Sequence, residues 1–203
     1  MDRARALAEE LAEAVGDERV LDAVARVPRH LFVPTSLRRR AYENVALPIA
    51  GGQTISQPLV VARMLELLQL TGSERVLDVG TGSGYHAALL GLLAGEVWTI
   101  ERDPSLSATA AVTLGRFGGP RVRCLVADGW KGLPAAAPFQ AINVAAACGS
   151  SVPEALVAQL ASGGRLVAPV GDESQHLTRL RRDGEQVTRE TFESVRFVPL
   201  VRG

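Results

Sequence analysis

Apolar and polar positions after residue 70 alternate between two kinds of segment. Short apolar runs that suit buried strands fall at 76–79, 96–100, 121–126, 139–144 and 165–170. Helical spacing fills the segments between several of them, at 84–94, 104–117 and 153–161. Strands that alternate with helices are typical of a parallel, doubly wound sheet. We therefore predict an α/β core over residues 71–203.

The two flanks of this core have different patterns. Residues 3–15 and 17–26 predict short helices, 42–58 has turn and extended character, and a helix is expected from Pro58 to Leu70. We expect residues 1–70 to form a helical layer on the substrate side, closing over the carboxyl ends of the strands within a single domain of residues 1–203.

The last part of the chain alternates apolar and polar residues. The segments are 177–181, 186–190 and 195–200, and Asp183-Gly184 between the first two is a hairpin-type turn. They predict antiparallel strands at one edge of the sheet.

A glycine-rich loop directly follows the strand at 76–79. It reads Gly80-Thr81-Gly82-Ser83-Gly84, whereas the dinucleotide fingerprint is G-x-G-x-x-G. Alternate glycines let the backbone approach a ligand, and the following helix offers free N–H groups. Asp78 would repel a pyrophosphate but suits a ligand that carries an ammonium and a sulfonium. S-adenosylmethionine (SAM) is such a ligand.

Further acids follow the next two strands. Glu101 lies about twenty residues beyond Gly80, where an acid can grip ribose hydroxyls, and Asp128-Gly129 could meet an adenine edge. The alternative is ordinary turn glycines with incidental acids. The predicted cofactor-binding set is Asp78, Gly80, Thr81, Gly82, Ser83, Gly84, Glu101, Arg102, Leu106, Asp128 and Gly129.

Composition excludes several other classes of function. Lys+Arg and Asp+Glu both total 22, so neither nucleic acid nor a membrane is an expected partner. Cys124 and Cys148 are too few and too far apart for a metal site or a disulfide framework. The longest apolar run, 87–94, is too short to span a bilayer. We expect a soluble, cytoplasmic monomer without a metal.

One segment before the core suggests an acceptor site. Gly51-Gly52-Gln53-Thr54-Ile55-Ser56-Gln57-Pro58 is rich in small and hydroxyl residues and starts a helix, which suits an anion such as a carboxylate. Ser56 could equally be a helix N-cap without any further role. The residues alone leave these alternatives balanced.

Several motifs in order along the chain resemble one family of class I SAM-dependent methyltransferases, the protein-L-isoaspartate O-methyltransferases. The specific ones are Gln53-Thr54-Ile55-Ser56 and Val195-Arg196-Phe197-Val198-Pro199-Leu200, while the glycine loop is common to SAM enzymes. Other matching segments are Val27-Pro28-Arg29-His30-Leu31-Phe32-Val33-Pro34, Leu47-Pro48-Ile49 and Gly163-Gly164-Arg165-Leu166-Val167.

The resemblance implies a Rossmann-like fold and a repair activity. Such enzymes methylate the free carboxylate of L-isoaspartyl residues in damaged proteins and peptides, and the ester collapses to a succinimide. Ser56 is then the catalytic residue, and the substrate-binding set is Thr54, Ile55, Ser56, Val144, Ala145, Ala146, Val198 and Leu200. A carboxylate is ionised at neutral pH, so the transfer needs positioning and no general base.

Three departures from the family pattern keep other functions open. Gln140 replaces an aspartate, Asn143 stands before Val144 where the composition varies, and the turn at 147–153 is one residue longer than usual and lacks its first proline. A carboxylate methyltransferase that tailors an aspartate of a ribosomally made peptide is one alternative. A non-catalytic SAM-binding module is another, although the intact Ser56 and glycine loop argue against it.

Overall fold

A computed structural model describes residues 3–117 and 121–202. The first part of the chain contains α1 (Arg3–Leu11), α2 (Glu18–Arg26), β1 (Leu47–Pro48), β2 (Thr54–Ile55) and α3 (Pro58–Leu68). The core then runs through β3 (Arg75–Val79), α4 (Tyr85–Leu93), β4 (Glu96–Glu101), α5 (Pro104–Phe117), β5 (Val122–Val126), β6 (Phe139–Val144), α6 (Glu154–Ala158), β7 (Leu160–Val170), β8 (Gln175–Asp183) and β9 (Gln186–Val195).

Seven strands form one sheet in the order β5-β4-β3-β6-β7-β8-β9. The strands from β5 to β7 pair in parallel, and β8 and β9 extend the sheet as antiparallel strands. The chain moves outward from β3 through β4 to β5, then returns to place β6 on the other side of β3. The predicted doubly wound sheet with antiparallel edge strands is confirmed.

The core lies on both faces of this sheet because successive strand residues point in opposite directions. Val76 of β3 belongs to the cluster that includes α1 to α4, whereas Leu77 and Val79 belong to the cluster on the other face. Both clusters are built mainly of buried aliphatic side chains. The strands are thereby fixed in register, so their carboxyl ends stay together at one edge.

The segment before the sheet divides into two parts with different positions. Helices α1 to α3 pack beside α4 in the first core cluster, on one face of the sheet. The extended part between α2 and α3 reaches the glycine loop, where the Ile49 side chain lies 3.8 Å from the Cβ position of Gly82. The expected closure over the strand ends is therefore made mainly by residues around β1 and β2, and Val61 is the α3 residue that lines a small cleft beside the loop.

Two predicted helix ends and one predicted strand are wrong. The first helix ends at Leu11, before Gly16, and the helix expected at 153–161 ends at Ala158 because Leu160 pairs with Phe139 and already belongs to β7. The segment 195–200 is not an edge strand. Pro199 has no N–H to donate, and this segment makes a single bridge to Ala147 at the ends of the parallel strands.

Within residues 3–117 and 121–202, the helices are too short or too polar to cross a membrane.

Candidate active site

A cavity of about 490 Å³ opens where β3 and β6 lie side by side and their following loops diverge. Ligands of open α/β sheets bind at this kind of switch point, and the volume suits a nucleoside-sized molecule. The predicted site residues that line it are Thr54, Gly80, Gly82, Glu101, Arg102, Leu106, Gly129, Ala145, Ala146, Val198 and Leu200. Most of the predicted set is thus brought together.

Glu101 holds the glycine loop and also faces the cavity. Its Oε2 accepts a hydrogen bond of 3.0 Å from the Gly82 amide, and its Oε1 accepts one of 3.1 Å from the Asp103 amide. Each carboxylate oxygen keeps acceptor capacity beyond its one backbone bond. The side chain can therefore accept a pair of ligand hydroxyls while it fixes the loop.

Asp78 lies behind the loop and does not line the cavity. Its Oδ2 accepts from Thr99 Oγ1 at 2.8 Å, and its Oδ1 accepts from Asn143 Nδ2 at 2.7 Å. Thr99 Oγ1 lies 2.6 Å from Thr81 Oγ1, which links the loop to this network. The carboxylate therefore supports the loop from within the sheet. No role was expected for Asn143, which was noted as a departure from the family pattern and as a polar residue in the apolar run 139–144.

Burial raises the pKa of Asp78 to about 6, against the opposing hydrogen bonds from Asn143 and Thr99. The folded protein therefore binds this proton more tightly than the unfolded chain between about pH 4 and pH 6. The rise from the ordinary value of 3.8 to about 6 corresponds to roughly 3 kcal/mol of stability lost across that window as the pH rises.

Asp78→Asn removes this titration. We therefore expect the difference in melting temperature, variant minus wild type, to increase as the pH is raised from 4 to 7. Thermal unfolding at each pH measures the difference. Asp22→Asn, which removes an exposed acid of α2, is the control for the loss of one carboxylate. A difference for Asp78→Asn that does not change with pH would contradict the assignment.

Asp128 and Gly129 contribute in different ways. The Asp128 side chain accepts a hydrogen bond of 2.9 Å from the Trp130 amide and lies 3.5 Å from Lys131 Nζ, outside the cavity lining. A Cβ on Gly129 would lie 2.8 Å from Val79 Cγ1 and 3.0 Å from a Leu200 methyl. Only glycine fits this wall without displacing its neighbours.

A second cavity of about 1180 Å³ adjoins the first. Thr54, Ala145 and Val198 line both cavities, so they form the wall between them. Ser56 lines the second cavity and also a small cleft of about 40 Å³, which it shares with Ile55 and with the loop residues Gly80, Thr81, Gly82 and Ser83. The predicted acceptor segment and the glycine loop therefore meet.

The Ser56 hydroxyl does not cap α3. The residue that precedes the helix is Gln57, which has no capping side-chain bond, and the Leu59 amide instead donates to Asn44 Oδ1 at 3.0 Å. No hydrogen bond joins the Ser56 hydroxyl to any residue in 3–117 or 121–202. The hydroxyl is thus left available to a ligand.

The tail holds its position over both cavities through backbone bonds. The Ala147 amide donates to Val198 O at 2.9 Å, and the Leu200 amide donates to Ala147 O at 2.8 Å. Trp130 Nε1, which sequence reasoning missed, donates to Leu200 O at 3.0 Å. Val144 is fully buried and lines neither cavity, so only Ala145 and Ala146 of that strand end are exposed to a ligand.

The lengthened turn at 147–153 lies behind the acceptor cavity. The Cys148 amide donates to Pro169 O at 3.0 Å, and the Gly171 amide donates to Gly149 O at 2.7 Å. The cavity wall on that side is instead formed by residues 172–175 together with Arg196. Residues 172–175 were missed as well, because a polar connection between two strands carries no distinctive motif. Arg196 belonged to a recognised motif but was not assigned to the site.

No group of three or more His, Cys, Asp or Glu side chains among residues 3–117 and 121–202 is placed to hold a metal ion.

Comparisons with known proteins agree on one family. The family model for protein-L-isoaspartate(D-aspartate) O-methyltransferase matches residues 2–203. The protein-L-isoaspartate O-methyltransferase of Cronobacter sakazakii is 52% identical over 192 residues, which cover 95% of this chain and 92% of that protein. That of Shewanella woodyi is 52% identical over 198 residues, covering 97% and 93%.

Solved structures share the fold. A protein-L-isoaspartate O-methyltransferase superposes with a TM-score of 0.84 at 25% identity, covering 95% of this chain and 64% of that protein. A structure described as a relative of that enzyme from Plasmodium falciparum, in complex with S-adenosyl-L-homocysteine, superposes with a TM-score of 0.86 at 23% identity, covering 98% and 99%. This chain belongs to the protein-L-isoaspartate(D-aspartate) O-methyltransferase family.

Proposed function

We propose that this protein transfers a methyl group from SAM to the free carboxylate of L-isoaspartyl residues. The observation that carries the proposal is the wall of Thr54, Ala145 and Val198, which is common to a nucleoside-sized cavity and to a larger open one. A donor held in the first and a peptide carboxylate held in the second would approach each other at this wall. Membership of the family indicates the chemical class of the methyl donor and of the acceptor.

The residues of the first cavity fit SAM. Glu101 offers carboxylate oxygens for ribose hydroxyls, and Gly129 leaves room that any side chain would fill. Leu106 and Leu200 supply apolar lining suited to an adenine face. When bound, SAM supplies a methyl group activated by the positive charge of its sulfonium.

Apart from Asp172, Glu173 and Arg196 in one wall, the second cavity is lined by neutral side chains, which can orient an acceptor. The Ser56 hydroxyl is free to donate a hydrogen bond to a carboxylate oxygen, which is already ionised and nucleophilic at neutral pH. Burial raises the pKa of the Cys148 thiol to about 12, and burial lowers the pKa of His86 to about 4. Neither group is poised for nucleophilic or proton-transfer work at neutral pH. Ser56 therefore contributes by holding the acceptor in place.

The same proposal extends to the fate of the product. A methyl ester can expel methanol, whereas a carboxylate has no comparable leaving group. The neighbouring backbone amide nitrogen can therefore attack the ester carbonyl and lose its proton, closing a succinimide with release of methanol, and hydrolysis reopens the ring partly to aspartate. Isoaspartyl-containing peptides and proteins are the proposed partners, without nucleic acid or membrane. Action as a single-domain monomer in the cytoplasm stays a prediction from the sequence.

The peptide-tailoring alternative was motivated by the longer turn at 147–153. That turn contacts Pro169 and Gly171 behind the cavity wall, so it gives no support to an altered acceptor. The Ser56 hydroxyl at the acceptor cavity favours a catalytic protein over a module that only binds SAM.

Methyl transfer from labelled SAM tests the proposal with two peptides that differ only in one linkage. We expect the isoaspartyl peptide to be methylated and the aspartyl peptide to react far more slowly, because groups placed for one carboxylate are left unpaired by the other. Equal rates on both peptides would rule out repair and favour peptide tailoring.

A further inference from the structure

A buried guanidinium lies directly behind the acceptor segment. Arg29, in the short 3-10 helix Arg29–Leu31, is 0% exposed. No Asp or Glu carboxylate among residues 3–117 and 121–202 forms an ion pair with it, and its Nε and Nη1 atoms have no hydrogen-bond partner there. An unpaired buried charge is costly to a fold. The cost suggests that Arg29 does something that an apolar side chain could not.

The hydrogen bonds that Arg29 does make are to the main chain before β1 and after β2. Its Nη2 donates to Val45 O at 3.1 Å and to Ser56 O at 3.1 Å. Val45 precedes Ala46, and both Ala46 and Ser56 line the acceptor cavity. One nitrogen thus fixes the main chain on either side of the hairpin formed by β1 and β2.

The guanidinium also contacts the first residue behind the glycine loop. Its central carbon lies 5.4 Å from the ring centroid of Tyr85, which begins α4 immediately after Gly84. A cation over an aromatic face is attracted to it, more strongly away from water. Arg29 therefore connects the main chain of Ser56 to the start of the helix that follows the cofactor loop.

We propose that Arg29 is a positioning residue for methyl transfer, holding the main chain of Ser56 at a fixed distance from the glycine loop. The inference rests on the proposed function, since it assigns Ser56 the role of orienting the acceptor. Burial lowers the pKa of Arg29 to about 10, so the group stays charged at neutral pH. Its bonds to the two carbonyls are consequently charge-assisted.

Arg29→Met tests this with a side chain of similar length that has no donors. We expect kcat/KM for an isoaspartyl peptide to fall roughly 10- to 100-fold, mainly in kcat, as for a displacement of about 1 Å in a reacting group. Affinity for S-adenosylhomocysteine should stay within a few-fold. Arg29→Lys keeps a donor and should recover part of the loss.

Arg165→Met is the matched control. Arg165 Nη1 also donates to two carbonyls, Leu68 O at 2.7 Å and Gln69 O at 2.8 Å, but it lies near the amino ends of the strands, beside Ala141 of β6. Its loss should affect stability and leave kcat/KM nearly unchanged. A similar fall in kcat/KM for both methionine variants would indicate a general loss of folding and would overturn the proposal.

A double-mutant cycle separates positioning from structure. Ser56→Ala leaves the Ser56 carbonyl and its bond to Arg29 in place, so the two changes do not remove the same contact. If Arg29 acts through the hydroxyl, Arg29→Met should cost less than about three-fold in the Ser56→Ala background, because groups that act as a unit are non-additive. Independent, multiplicative losses would overturn the proposal. Arg29→Lys replaces Arg29→Met in the cycle if the latter fails to fold.

Amide exchange keeps the test independent of the activity. Both Arg29 variants should speed exchange in residues 54–57 relative to α5, whereas Arg165→Met should not. Unchanged exchange there would overturn the role of Arg29 even if the wild type methylates isoaspartyl peptides. If exchange is faster in the Arg29 variants but the wild type methylates no peptide, the contact between Arg29 and the Ser56 main chain is supported and the proposed function is rejected.

Discussion

Ser56→Ala lowers kcat/KM for an isoaspartyl peptide by roughly one to three decades, the scale expected when an orienting contact of the transition state is lost. Affinity for SAM stays within a few-fold, because the side chain faces the acceptor cavity and is absent from the lining of the first. Initial rates of methyl transfer from labelled SAM give the first quantity, and calorimetric titration gives the second.

The control for this result is Ser36→Ala, which removes a hydroxyl from an exposed residue that lines neither cavity. It should change neither rate nor stability. A helix-capping role for Ser56 would instead cost about 1 kcal/mol of stability and let activity return at lower temperature. That outcome would show that Ser56 takes no part in methyl transfer. The structure already provides a capping bond for α3, since Asn44 Oδ1 accepts a hydrogen bond from the Leu59 amide.

Glu101→Ala weakens SAM binding by roughly 1.5–3 kcal/mol, the contribution of hydrogen bonds to a buried charged acceptor. This corresponds to about a 10- to 150-fold rise in Kd. The side chain is 8% exposed, and its oxygens also hold the Gly82 and Asp103 amides, so the variant loses part of the loop geometry too. Calorimetric titration measures the change.

Glu96→Ala is the comparison for Glu101→Ala, since Glu96 lies at the opposite end of β4 and pairs with Arg75 and Arg123 at the surface. Its SAM affinity should match that of wild type. Equal losses in the two variants, or tighter binding of NAD than of SAM to the wild type, would sink the cofactor assignment.

The sheet could be predicted from the sequence because each strand is an apolar run with a clear boundary. The positions of Gly82 and Glu101 followed from it, since consecutive parallel strands end at the same edge. The orientation of the Asp78 side chain could not be predicted, because it depends on hydrogen bonds from Thr99 and Asn143 in neighbouring strands. A side chain at a strand end can face the ligand or the sheet, and the one-dimensional pattern does not distinguish them.

The residues of the acceptor site were harder to predict from the local sequence pattern than those of the cofactor site. Thr54 and Ser56 were found through short motifs, whereas Arg29 and Trp130 act through backbone carbonyls distant along the chain. Such contacts leave no periodic signal. The segment 195–200 misled for a related reason, since its apolar alternation faces the cavities and not a neighbouring strand.

The tail over the two cavities has a consequence for the newly made protein. Residues 198–201 follow all seven strands in the chain, yet they complete the wall of the first cavity and part of the second. Chains are synthesised from the amino end, and their early parts can fold first. A growing chain on the ribosome can therefore form the glycine loop and most of the sheet before its donor site is closed. The donor site would become complete only after all seven strands of the sheet have been made.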